Sequence, residues 1–300
     1  DSKTGRLQCR AELAVLHQID RFRERQIFNF AHVAIGHAGG FQDDARGVAN
    51  RHLVVGSSSA PVNGARKLIT GSKPVDGGYL ILSATEYRHL SDSEPEILDL
   101  VHPFIGAEEY INDGLRWILA LQNTEPERIK KSDFLKERLA NVRRFRNGEL
   151  HPKGKPDGPR PTPGSSTSSL ADSPSSFHVT VIPERPFLVI PQVSSERRAY
   201  APIGWLTPPT IPSDKLRLLP EATLWDFGIL TSTMHMAWMR AVTGRMKSDY
   251  MYSVAVVYNT FPWPDATQAQ RDKIEALAQA VLDARAAHVT SSLADLYDPD

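Results

Sequence analysis

The chain has 300 residues, 41% hydrophobic and 23% charged, enough for one large domain or two modest ones and inconsistent with global disorder. Formal net charge is zero, which argues against a uniformly basic nucleic-acid binder. No apolar run approaches about 18 residues, so no membrane-spanning helix is expected, and the polar start Asp1 to Arg10 lacks the apolar segment of a signal peptide. The single cysteine, Cys9, cannot form an internal disulfide or a thiolate metal cage, which fits a reducing cytoplasm. A first residue other than Met points to a fragment or a processed chain.

Apolar residues Leu13, Leu16, Ile19, Phe22 and Ile27 predict a helix over 7–30, and the run Phe30 to Ile35 a buried strand. Pro74 and Asp76-Gly77-Gly78 supply turn chemistry before a strand at Tyr79 to Leu82. Ser83 and Glu86 form a capping box, which starts a helix at Ala84 and ends it before Pro95. A short helix over Pro95 to Val101 and a strand over Leu115 to Leu121 follow. Arg128 to Arg146 predicts one basic helix with a stripe of Ile129, Phe134, Leu135, Leu139, Val142 and Phe145. From Arg128 to Arg160 there are 11 basic and 4 acidic residues, against 3 and 7 from Asp265 to Asp300. Charge is thus segregated, and the basic segment is a candidate surface for a polyanion or for a linked domain. Residues 151–176, rich in Pro, Gly and Ser, predict a flexible, disordered linker. Strands are expected over 177–182, 187–190 and 254–258, and helices over 222–240 and 267–288. The fold class expected is mixed α/β (α+β): a recognition-type domain with a mixed sheet, packed helices, the disordered insertion and a C-terminal helix. Domain boundaries are expected at 1–50, 51–265 and 266–300.

Several chemistries are missing. No glycine-rich loop follows a strand, Gly56-Ser-Ser-Ser59 lacks the lysine of a phosphate loop, and there is no Gly-x-Ser-x-Gly elbow. The ten histidines show no zinc spacing, and neither Pro156-Asp157 nor Pro264-Asp265 has the Glu-x-Lys partner of a nuclease. His235, on an apolar helix, reads as a packed or hydrogen-bonded core histidine, with a ligand or catalytic role as the alternative. No catalytic residue, metal site or cofactor site is expected in this chain, and the weight shifts to binding.

Long motifs carry a resemblance from Lys67 to the C-terminus. They are Gly71-Ser-Lys-Pro-Val-Asp-Gly-Gly78, Phe104-Ile-Gly-Ala-Glu-Glu-Tyr-Ile111, Ile190-Pro-Gln-Val-Ser-Ser-Glu-Arg-Arg198, Ala222-Thr-Leu-Trp-Asp-Phe-Gly-Ile-Leu-Thr-Ser232, Gly244-Arg-Met-Lys-Ser-Asp-Tyr250 and Tyr258-Asn-Thr-Phe-Pro-Trp-Pro264. Over this stretch the chain resembles the C-terminal part of the MmeI-like type II restriction–modification proteins. That family joins a nuclease, an adenine methyltransferase and a target-recognition domain in one chain. The family's Asn-Pro-Pro-Tyr motif and its cofactor motif are absent here, and residues 1–50 fit only as the trailing edge of a methyltransferase domain. The resemblance implies double-stranded DNA and a methyltransferase domain of the same parent chain as partners, S-adenosylmethionine in the parent enzyme, and no membrane.

It also places base-reading positions at Lys247, Asp249 and Met251 and near Gln192, Asp214 and Lys215. The chemistry agrees, because Lys donates to guanine O6 and N7 and Asp accepts from the cytosine amine. Alternation along a strand after a Gly-Arg turn would put Lys247, Asp249 and Met251 on one face. Ser194, Ser195, Arg197 and Arg198, with Arg245, offer hydroxyl and guanidinium donors for backbone phosphates. The plainer alternatives are a solvated turn and an exposed Lys–Asp pair. Two rival functions stay open: a scaffold or protein-interaction domain without DNA binding, and a hydrolase with an unrecognised site. A steep fall of DNA affinity with salt separates the first rival from recognition.

Overall fold

A computed structural model describes residues 56–62, 64–162 and 166–299. The helix expected over 7–30, the run 30–35 and Cys9 lie outside these residues. The chain begins its described course with β1 (Ile69–Thr70) and β2 (Ile81–Leu82). The turn between them needs its glycines: Gly77 has φ 66°, and a Cβ there would fall 2.6 Å from the Phe145 ring. The capping box at Ser83 forms as expected. Its hydroxyl accepts the Glu86 amide at 3.3 Å, Glu86 accepts the Ser83 amide at 2.9 Å, and α1 (Ala84–Ser93) follows. A 3-10 turn over Pro95–Leu100 leads into β3 (Val101–Ile105), α2 (Ala107–Asn112) and β4 (Trp117–Leu119).

The single basic helix expected over 128–146 is instead two, α3 (Pro126–Lys131) and α4 (Asp133–Arg146). Ser132 divides them because its hydroxyl accepts the Leu135 amide at 3.0 Å and so starts a new helix. After the segment 151–186 come β5 (Phe187–Pro191), β6 (Val193–Ser194), β7 (Gly204–Leu206), β8 (Ile211–Pro212) and β9 (Leu216–Pro220). The helix expected over 222–240 also divides, into α5 (Leu224–Leu230) and α6 (Thr233–Val242), with Ser232 capping the second. Then come β10 (Gly244–Met246) and β11 (Asp249–Met251). The apolar run Val254–Tyr258 is a π-turn rather than the expected strand. Ser253 caps it, and the Asn259 amide reaches the Val254 carbonyl at 2.9 Å. α7 (Gln268–Ala286) and α8 (Leu293–Tyr297) close the chain. The mixed α/β class and the C-terminal helix are those expected. No helix among the described residues is long and apolar enough to cross a membrane.

The chain divides into two units. The first comprises described residues up to 69, with 187–205 and 217–299. It holds a sheet in the order β1-β9-β5-β7 and a small sheet in the order β10-β11-β6. Its core gathers Leu188, Ile190, Leu219, Phe227, Tyr252 and Tyr258. Gly228 lets α5 lie close on α7, since a Cβ there would come within 2.8 Å of Ile274. His235 is 1% exposed in this core, hydrogen bonded through Nε2 to the Tyr252 hydroxyl at 3.0 Å and edge-on to Phe261 at 4.9 Å. The sequence reading of a packed, hydrogen-bonded histidine describes this setting.

The second unit comprises residues 70–186 and 206–216. Its sheet runs β2-β4-β3-β8, antiparallel except for the parallel pair β3–β8. Leu80, Leu82, Ile118, Leu119, Leu135 and Val142 form its core. Arg146, 0% exposed, sends its guanidinium to five carbonyls: Pro74 (3.0 Å), Val75 (2.9 Å), Leu170 (2.9 Å), Ser173 (2.8 Å) and Ser176 (2.8 Å). Arg143 adds a bond to Ala171, and Lys153 binds the Ile81 carbonyl. These bonds hold described residues of the segment 151–176, for which composition predicts a flexible, disordered linker. Composition shows that the segment lacks apolar side chains; it does not show that α4 holds its carbonyls. The strand expected over 177–182 reduces to an isolated bridge between Val179 and Lys73.

Glu86 joins three parts of this unit, accepting from the Ser83 amide, from Lys153 at 2.6 Å and from Arg138. Partial burial raises its pKa, but Lys153, the Ser83 amide and Arg138 together outweigh that and hold it at about 2, against an ordinary 4.5. Its folded pKa therefore lies below its unfolded one, so the stabilisation is present above pH 4.5 and lost as pH falls toward 2. Glu86→Gln is expected to cost about 1–2 kcal/mol at neutral pH, after allowance for solvent screening. It should also flatten the acid limb of a urea-midpoint series in that window. A variant as acid-sensitive as the parent would rule the role out.

Candidate nucleic-acid interface

β10 and β11 form a hairpin whose outer strand is exposed along its length and whose inner strand pairs with β6. Met246 faces Asp249 and Gly244 faces Met251 across the pair, so the loop is Lys247-Ser248. The sequence reading put a Gly-Arg turn before Lys247, but Gly244 and Arg245 belong to β10. Asp249 and Met251 do share a face, as alternation requires. Lys247 does not lie on a strand face but at the tip. There it adopts φ 58°, the left-handed backbone that two-residue hairpin turns demand and glycine fills most readily.

The other face anchors the hairpin. Tyr250 and Tyr252 are buried, and the Tyr252 amide extends the ladder to the Gln192 carbonyl at 2.7 Å. Arg245 lies 4.0 Å over the Tyr250 ring, donates to the Ser248 carbonyl at 2.8 Å and stands 3.5 Å from Glu196. Asp249 accepts the Glu196 amide at 3.4 Å, which leaves the half-buried carboxylate with further lone pairs. The hairpin thus carries an ammonium at its tip and a carboxylate beside it, on a strand paired to β6.

The remaining expected residues divide. Arg197 is exposed and reaches the Pro299 carbonyl at 3.4 Å, while Ser195 accepts the Arg197 amide at 3.3 Å. Gln192 is half-buried between β5 and β6. Ser194 is 4% exposed, with a hydroxyl that has no hydrogen-bond partner among the described residues. Arg198 is 8% exposed and pairs with Asp298, so it ties the C-terminal segment down. Asp214 and Lys215 belong to the second unit, in the turn from β8 to β9, 3.6 Å apart.

The basic segment 128–160 also lies in the second unit, and much of its charge is already used. Arg128 chelates Asp99 at 2.7 and 2.9 Å, Lys130 pairs with Glu127 at 2.8 Å, and Arg138 and Lys153 meet on Glu86. Lys131, Lys155 and Arg160 are exposed and pair with no acid among the described residues. Arg240 was missed in the sequence because its helix read as scaffold. It is exposed and donates to the Ala199 carbonyl at 3.0 Å, which joins it to the loop of Arg197. Met246, 48% exposed beside Asp249, was also missed. Among the described residues, no group of three or more His, Cys, Asp or Glu gathers as a metal cage.

The family model described as "MmeI, target recognition domain" matches residues 49–265, and "MmeI, C-terminal domain" matches 266–300. The chain is 36% identical over 248 residues to the Bacillus subtilis (strain 168) protein named DNA methyltransferase A, covering 83% of this chain and 27% of that protein. It is similar to a solved structure of the type IIL restriction–modification enzyme MmeI in complex with DNA. That match has 33% identity and a TM-score of 0.75, and covers 82% of this chain and 31% of the other. The chain therefore spans under a third of the length of each relative. In sequence and in fold, this chain belongs to the MmeI family, as its target recognition domain followed by its C-terminal domain.

Proposed function

We propose that the chain is the sequence-reading DNA module of a restriction–modification methyltransferase. Its parent protein would act in the cytoplasm and methylate the exocyclic amine of one flipped adenine. The observation that carries this is the β10–β11 hairpin, with Lys247 at its tip and Asp249 on its exposed side. Membership of the MmeI family supports it, as does the DNA-bound state of a structural relative.

Lys247 and Asp249 are proposed to read one G·C pair. The ammonium donates to guanine O6 or N7, and the carboxylate accepts from the cytosine amine. Met251, on the Asp249 face, and Gln192 would flank that pair, while Asp214 and Lys215 would read from the second unit. Ser195, Arg197 and Arg245, with Arg240, would hold phosphates and so set register. Ser194 and Arg198 are left out of the contact set, because both are buried. S-adenosylmethionine and the catalytic residues would belong to the methyltransferase domain of the parent. The sequence here carries neither a glycine-rich loop after a strand nor Asn-Pro-Pro-Tyr, and no residue of it is assigned to the cofactor.

The test exchanges the pair, Lys247→Asp with Asp249→Lys, in the intact parent enzyme and maps methylated sites by sequencing. One position of the recognised motif should change and the others should stay, since a good base contact discriminates by about 1–3 kcal/mol. An unchanged motif would reject the assignment.

A further inference from the structure

A pocket of about 570 Å³ lies in the first unit, among the loop 64–66, α5 and the start of α7. Its size falls in the range of small-molecule sites, roughly 300–1,000 Å³. It shares no residue with the hairpin. The walls combine two indoles (Trp225, Trp263), two guanidiniums (Arg66, Arg271) and two carboxylates (Asp226, Asp265).

These groups are not equally available. Asp226 is largely committed through one oxygen: Oδ2 accepts from Arg66 at 2.6 Å, the Thr223 amide at 2.7 Å and the Thr223 hydroxyl at 2.9 Å, while the residue is 5% exposed. Arg66 uses one terminal nitrogen in that pair and keeps the other, with a side chain 45% exposed. Arg271 is set differently. Its Cζ lies 4.5 Å from the centroid of the Trp225 ring and its Nε donates to the Ala266 carbonyl at 3.4 Å. Its terminal nitrogens make no hydrogen bond among the described residues. Asp265, exposed at the pocket, makes none either.

A guanidinium held over an indole and through its Nε keeps its two terminal nitrogens for bidentate bonding to a phosphate. An indole offers its face to a flat heterocycle. A carboxylate with open lone pairs accepts from an exocyclic amine. One ligand class combines all three partners. We infer that this pocket binds a nucleotide whose base carries an exocyclic amine. Its phosphate is held by Arg271 and Arg66, its base lies against Trp263, and its amine is held by Asp265. The nucleotide is either free or part of a single strand.

The test is calorimetric titration of the full chain with adenosine monophosphate, adenosine and inorganic phosphate. The monophosphate should bind with a Kd between about 10 µM and 1 mM, and adenosine and phosphate should each bind at least about tenfold more weakly. Arg271→Gln and Asp265→Asn should each weaken the monophosphate about tenfold, with thermal melts that match the parent. No binding at about 5 mM monophosphate, phosphate binding as well as the nucleotide, or affinity unchanged in both variants would overturn the inference. Asp265→Asn alters an exposed group, so the test survives even if Arg271→Gln fails to fold. A short single-stranded oligonucleotide separates the two sources. Displacing the monophosphate assigns the pocket to a strand nucleotide, and leaving it in place assigns the pocket to a free one. None of these measurements involves Lys247 or Asp249, so this inference and the base-reading proposal fail independently.

Discussion

Arg146→Met is expected to destabilise the second unit by about 3–5 kcal/mol, the scale of breaking a buried charged network. The side chain is fully buried, and its donors are shared among five main-chain carbonyls. Methionine fills much of the volume but donates nothing, which leaves buried acceptors without partners at roughly 1–3 kcal/mol each before relaxation. The sum overshoots, because the freed segment can turn some carbonyls to water. Arg146→Lys should recover little, since an ammonium cannot span the planar fork that reaches Pro74 and Val75 on one side and Leu170, Ser173 and Ser176 on the other. The measurement is urea unfolding, followed by hydrogen exchange of second-unit amides. Residues 166–176 should lose protection first, and protease should cut there at native pH. A cost under about 1 kcal/mol would show that the carbonyl cage is not what orders this segment.

The second large effect concerns acid and the first unit. Burial pulls the His235 pKa down to about 4 from an ordinary 6.5, against a backbone hydrogen bond that raises it. The folded state therefore holds this imidazole neutral where the unfolded chain would protonate it. Its stabilisation is complete above pH 6.5 and is lost as pH falls toward 4. The shift corresponds to about 3 kcal/mol. His235→Phe should remove that dependence, so melting temperatures at pH 7.5, 6, 5 and 4 should fall less steeply than in the parent. At neutral pH the variant should lose about 1–2 kcal/mol, because the Tyr252 hydroxyl loses its partner. Adding Tyr252→Phe should return part of it. Parallel pH curves for parent and variant would contradict the assignment. The Glu86 effect lies below pH 4.5 and in the other unit, so the two are separable in one titration.

Local signals in the sequence reached as far as hydrogen bonds between near neighbours. Ser83 and Glu86 announced α1, Pro95 announced its end, and Thr267 opened α7. Ser132 and Ser232 were hidden because apolar residues continue at helical spacing through both breaks, and periodicity does not register a cap inside such a stripe. Val254–Tyr258 misled for a related reason: a short β-branched run fits a strand as well as a helical turn. β3 carries Pro103 in its middle, which argues against a strand until its partner is known. At the site, residue types were legible but register was not. Arg197 and Arg198 are chemically alike in sequence, yet only the fold brings Asp298 to one of them. Lys247 and Asp249 stayed together because they are two residues apart, whereas Arg240 joined Arg197 through a contact 41 residues long in sequence.

The left-handed backbone at Lys247 separates two quantities that most proteins entangle. Its tip is held by main-chain geometry and by the buried tyrosines behind it, not by anything the lysine side chain packs against. Lysine already carries the left-handed penalty of about 1–2 kcal/mol, so exchanging it for another residue that is neither β-branched nor proline changes the folding cost little, and glycine relieves the penalty. On the DNA-reading proposal, the most informative position of the module is also one of its least expensive to rewrite. New specificities could then be sampled at the tip while the melting temperature of the scaffold hardly moves.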